Sequence, residues 1–157
     1  MLSNNICSNN YDGVGIYLFH SSNNILNNNC SNNNDGIWLY SSSNNIIINN
    51  NCSSNFYGIW LMSDSSRPPS SNNMIIWNQI FDNLVYGVIL ESYTSYNVIY
   101  NNTFYHNNGA GDIYALSHIQ AYDDGTNNRW NSSGYGNWWS DWTLPDDDFN
   151  GIVDVPY

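Results

Sequence analysis

The feature that most constrains this chain is a phrase that recurs along it. An Asn is followed, two places on, by an apolar residue and, three places further, by a second Asn, as in Asn28-Asn29-Cys30-Ser31-Asn32-Asn33. Aligning Cys7, Cys30, Cys52, Ile80 and Phe104 puts Asn5, Asn28, Asn50, Asn78 and Asn102 in one column, and Asn10, Asn33, Asn55, Asn83 and Asn107 in another. The copies are spaced by 23, 22, 28 and 24 residues. A repeat of that length marks a solenoid, in which every turn reproduces its neighbour. Function is then to be sought on the surfaces of the coil.

Each unit reads as short strands joined by polar corners. One is N-I-x-I, as in Asn45-Ile46-Ile47-Ile48, and another is G-I-x-L, as in Gly36-Ile37-Trp38-Leu39. Alternation with period two puts Ile37 and Leu39 on one face and Trp38 on the other, and Ile16, Tyr17, Leu18 and Ile59, Trp60, Leu61 repeat the pattern. Helix formers are scarce, and Ser, Asn and Gly interrupt every potential helix. Coils of this size stacked at the interstrand spacing form a parallel β-helix, about 24 Å long for five coils. Stacked Asn amides can donate to one coil and accept from the next, and Asn tolerates the left-handed corners such a coil needs. The Asn columns are therefore read as structural. The longest unit carries an insertion, Ser63 to Ser71, expected as a loop on one face.

Charge narrows the partners. Two basic and 13 acidic residues give a formal charge of -11, which repels a phosphate backbone and argues against nucleic acid. No apolar run is long enough to span a bilayer, and the first residues lack the pattern of a signal peptide. Because the Asn column starts at Asn5, the segment reads as the C-terminal part of a longer protein with upstream domains.

Outward positions of the G-I-x-L strand form a stripe of Tyr17, Trp38 and Trp60, with Phe19, Tyr40 and Met62 beside it. Together with Arg67 in the insertion and Glu91 after the stripe, Tyr17, Trp38, Tyr40 and Trp60 are the candidate carbohydrate-binding residues. No catalytic set is assigned. Asp12 and Asp35 look aligned in adjacent coils, but Asp before Gly is a common turn former, and His20, His106 and His118 occupy different repeat positions. Cys7, Cys30 and Cys52 are expected to be free thiols, because in-register side chains point in parallel.

The tail carries a different chemistry. Asp146, Asp148, Asn150 and Asp154, with Gly151 at the turn and the Ile152 carbonyl, match the oxygen-ligand positions of a calcium loop, although Tyr157 stands where the last Glu belongs. A structural calcium ion is the expectation.

The repeats, the segment Ala121 to Asn131 (A-Y-D-D-G-T-N-N-R-W-N), and the ending G-N-W-W-S-D-W followed by P-D-D-D-F-N-G-I-V-D-V-P-Y resemble the NosD-like β-helix proteins. The resemblance implies an all-β, right-handed, single-stranded parallel β-helix of about five coils over residues 1–120 and a Trp- and Asp-rich cap over 121–157. It also implies an extracellular, cell-surface or periplasmic location. The wider group includes carbohydrate-binding and sugar-hydrolysing modules, and the NosD name implies help in maturing a periplasmic copper centre. The sequence shows no clustered His, Met or Cys set, so the expectation is a non-catalytic module for surface structure or carbohydrate binding. A polysaccharide hydrolase or lyase, or a copper-maturation factor, is the alternative.

Overall fold

The computed structural model describes residues 1–22 and 25–142, with the side chains of residues 25 and 26 excepted. The chain winds as a parallel β-solenoid. One face stacks Ile46–Ile48, Met74–Ile76 and Val98–Tyr100, and the next stacks Asn51–Ser53, Gln79–Phe81, Thr103–Tyr105 and Trp138–Trp139. Ile25–Ser31 runs through both faces and pairs with Leu2–Ser8. The third face stacks Val14–Phe19, Asp35–Tyr40, Tyr57–Met62, Tyr86–Leu90 and Ala121–Asp123, so the parallel sheet continues past residue 120. Helical structure among the described residues is confined to the short 3-10 turns Asn107–Gly109 and Leu116–His118.

The register matches the repeat. Cys7 pairs with Cys30, Cys30 with Cys52, Cys52 with Ile80, and Ile80 with Phe104. Four turns of 23, 22, 28 and 24 residues carry the Asn column from Asn5 to Asn102, and a longer step of 35 residues reaches Asn137. The regular coil thus carries the five expected copies of the repeat over about four turns, and the step to Asn137 departs from its period. The core is a file of inward residues, including Ile37, Leu39, Ile47, Ile59, Leu61, Ile75, Ile80, Leu90, Ile99 and Phe104, all fully buried.

The corners explain the asparagines. Asn78 is typical: its Oδ1 accepts both the backbone N–H and the Nδ2 of Asn50, at 2.8 and 2.9 Å. Its own Nδ2 donates to Asn102 Oδ1 at 2.9 Å and back to the Ile47 carbonyl at 3.0 Å. No polar atom of the buried amide is left over, which is what lets it stay inside. The Asn10 column repeats the arrangement. A third ladder, Asn45, Asn73, Asn97 and Asn128, was hidden in the N-I-x-I motif. The left-handed residue at each corner precedes the ladder Asn instead of being it: Asn4, Asn49, Trp77 and Asn101 have φ between 54° and 58°.

Glycine fixes the third face. A Cβ on Gly36 would lie 2.5 Å from the Gly58 carbonyl oxygen and 2.9 Å from Asn55 Nδ2, so no side chain fits there. Gly36 and Ile37 therefore both turn inward, and Asp35 and Trp38 share the outer side. Tyr57 and Trp60 do the same one coil later, with ring centroids 5.3 Å apart.

Candidate functional site

The aromatic stripe is assembled by strand register. Tyr17 pairs with Trp38 and Trp38 with Trp60, while Phe19 pairs with Tyr40 and Tyr40 with Met62. Because the coils are one interstrand spacing apart, neighbouring rings must stack on one another: Trp38 and Trp60 lie 4.8 Å apart with planes only 8° from parallel. Their faces cover each other, and both are only partly exposed. The indole Nε1 atoms of Trp38 and Trp60 are buried and have no hydrogen-bond partner. At the first coil the stack loosens. Tyr17 tilts 38° from Trp38, Phe19 tilts 45° from Tyr40, and both remain 45% exposed or more.

The insertion folds back over this end of the stripe. The Arg67 guanidinium sits 5.0 Å from the centre of the Tyr40 ring and 5.8 Å from that of Phe19, a cation–π contact with each. It also donates to Asp64 at 2.6 Å and to the Tyr40 hydroxyl, which in turn donates to Asp64. Asp64 accepts further bonds from the Ser66 hydroxyl and backbone N–H. Those bonds, the Ser66 hydroxyl first and Tyr40 next, hold the Asp64 carboxyl far below the usual carboxylate range. The same contact with Asp64 raises the Tyr40 phenol and the Arg67 guanidinium. A ring-lined surface is thereby rimmed by a fixed cation, a fixed carboxylate and a phenol.

Other candidates are placed elsewhere. Glu91 follows Leu90, which registers with Leu61, but Arg67 pairs with Asp64 and not with Glu91. Asp35 registers with Val14, not with Asp12, because the first coil takes six positions from Asn10 to Ile16 where the second takes four from Asn33 to Ile37, so that proposed alignment does not hold. Asp35 is buried, its Oδ1 has no partner, and burial raises its pKa, with the Asn34 amide opposing weakly at 3.3 Å. Asp64, which fixes Arg67 at this rim, is not among the residues the sequence singles out; the available signal was its place three residues before Arg67 in the insertion.

The three thiols are free, with Cys30 and Cys52 fully buried and Cys7 partly so. Contact with Cys30, and then burial, push the Cys52 thiol well above its usual range. Among the described residues no three His, Cys, Asp or Glu side chains gather into a metal site. The proposed calcium ligands Asp146, Asp148, Asn150, Ile152 and Asp154 lie outside the described residues. No described helix is long and apolar enough to cross a membrane.

Stacked coils, buried amide ladders and a ring-lined outer face define a parallel β-solenoid with one chemically distinctive surface. The chain belongs to the family described as periplasmic copper-binding protein (NosD), whose model it matches over residues 1–144. No curated protein and no solved structure matches it. Copper, which the family description implies, finds no group of three or more His, Cys, Asp or Glu donors in the described residues: the thiols stand in a file along the core, and two of the three are sealed from solvent.

Proposed function

We propose that the chain is a non-catalytic module of the cell envelope that contacts carbohydrate through the first-coil end of its aromatic face. The observation that carries this reading is the Arg67 guanidinium held over the rings of Phe19 and Tyr40 and tied to Asp64. Saccharides present apolar C–H faces edged by hydroxyls, and this surface offers open rings edged by planar hydrogen-bonding groups. Trp38 and Trp60, closed face to face, stiffen the platform instead of meeting the sugar. The family description supports an envelope location. A glycan array probed with the purified chain tests the reading. Binding should be lost in Tyr17→Ala/Arg67→Ala with the melting temperature little changed, and no binding to any glycan would reject it.

Copper handling is the second reading, favoured by the family match. Its soft-donor candidate is the file Cys7, Cys30 and Cys52, of which Cys7 alone is partly exposed. Competition for Cu(I) against a chromophoric chelator decides it: uptake lost in Cys7→Ser supports the role, and no uptake removes it.

A further inference from the structure

The chain has two arginines and no lysine, and the fold treats the two differently. Arg67 is tied to Asp64. Arg129 is exposed and makes no ion pair and no side-chain hydrogen bond among the described residues, although the chain carries 13 acidic side chains. Its backbone is nevertheless fixed on both sides: the N–H donates to the Asn97 carbonyl at 2.9 Å, and the carbonyl accepts from the Ile99 N–H at 2.8 Å. Asp123 accepts from both sequence neighbours of Arg129, Asn128 Nδ2 and Trp130 Nε1 at 2.9 Å each, and leaves the guanidinium without a counter-ion. The cation is anchored by its strand and open to an outside anion.

Arg129 stands at one end of a groove of about 630 Å³ that runs across three coils, on a different face from the aromatic stripe. Its floor is the outward column Met74, Val98 and Arg129, which strand register places side by side. Its wall is a stacked corner: Asn72, Tyr96 and Asn127 all hold left-handed backbone, with φ of 54°, 55° and 56°. Tyr96, in the middle coil, is 58% exposed. Asn127 makes no side-chain hydrogen bond among the described residues, and Asn72 makes only a long one, 3.4 Å to Ser71. At the interstrand spacing the three coils span about 10 Å, the size of one or two sugar rings.

We propose that this groove binds a sugar acid, with its carboxylate on Arg129, its ring face on Tyr96 and its hydroxyls on the flanking Asn72 and Asn127 amides. A guanidinium matches a carboxylate through two parallel hydrogen bonds, and an aromatic ring beside primary amides matches a ring that has C–H faces and hydroxyl edges. The formal charge of -11 opposes anions in general, but that field is spread over the surface and screened within about 10 Å, whereas the Arg129 contact is local and no carboxylate of the described residues neutralises it. Arg67 cannot serve in the same way, because Asp64 already occupies it.

The groove is separate from the surface around Phe19, Tyr40 and Arg67, so the two readings fail independently. Proton–nitrogen NMR titration of the purified chain with methyl glucuronide, methyl glucoside and acetate tests it. The glucuronide should shift the amides of Tyr96, Asn127 and Arg129 and bind about tenfold or more tightly than either the neutral sugar or the simple acid. Arg129→Gln should remove the preference for glucuronide over glucoside with the melting temperature unchanged, and Arg67→Ala should leave it intact. Absence of shifts in this groove with all three probes, acetate or glucoside binding as well as the glucuronide, a preference that survives Arg129→Gln, or one lost in Arg67→Ala would each overturn the proposal.

Discussion

The two ends of this solenoid are built from one repeat and finished differently. At the Asn137 end, side chains absorb the last ladder donors and Trp139 covers Phe104, with Trp130 beside it. At the Asn5 end the ladder acceptors, the strand edges and the rings of Tyr17 and Phe19 are left open among the described residues. The difference shows that a solenoid's interior is defined by stacking and not by sequence: identical asparagines are buried and saturated at Asn78 and half-used at Asn5. Of the four tryptophans in the Trp-rich segment after residue 120, Trp130 and Trp139 pack on the core, Trp142 meets Tyr114, and Trp138 is largely exposed.

Substitutions at matched positions sharpen this comparison. Asn78→Leu removes the acceptor of two Asn50 donors and the donor to Asn102 and to the Ile47 and Ile76 carbonyls. At about 1 to 3 kcal/mol for each group left unsatisfied, the loss rivals the stability of a whole domain, and urea titration should show little folded protein. Asn5→Leu, at the open end, should cost about 1 kcal/mol or less. Equal losses would break the comparison. Trp139→Ala should cost about 3 to 5 kcal/mol by uncovering Phe104, whereas Tyr11→Ala, already exposed, should stay within about 0.5 kcal/mol.

Smaller effects test the corners and the outer face. Trp77 holds φ 54° while 58% exposed, so Trp77→Asn should gain on the order of 1 kcal/mol in thermal unfolding by placing a residue suited to the left-handed region. Burial raises the Asp35 pKa in the folded state, so the native protein binds more protons than the unfolded chain above the ordinary carboxylate value of 3.8. Stability should therefore fall as pH rises through the folded pKa. Asp35→Asn should flatten that slope and raise the melting temperature at neutral pH by about 2 °C. Calcium is the smallest expected effect: a rise of about 1 °C with added calcium, abolished by chelator and by Asp148→Ala, is what a loop of Asp146, Asp148, Asn150, the Ile152 carbonyl and Asp154 would give.

What was legible in the sequence was whatever repeats. The Asn5 and Asn10 columns, the file of cysteines and the inward Ile37 and Leu39 follow from a period near 22 residues and an alternation of two. Features that break the period were not visible. Asn137 and Gln120 finish their ladders after steps of 35 and 13 residues, and no spacing rule finds them. The first corner, longer by two residues than the second, puts Asp35 opposite Val14, which the Asn columns alone do not show. The stripe was legible as a set of residues but not as a surface, because register dictates that Trp38 and Trp60 stack together and hide their faces. Nor could the sequence show that the insertion folds back onto the rings, where Asp64 holds Arg67.

Native-state hydrogen exchange resolved by residue tests the central claim most directly, because the ladder asparagines carry backbone N–H groups whose acceptor is the next amide along the coil. The account predicts the slowest exchange at Asn50 and Asn78, exchange close to the rate of global unfolding there, and progressively faster exchange toward Asn5 and the outer edge of the first coil. Uniform protection from the first coil to the last, or protection at Asn5 equal to that at Asn78, would contradict it.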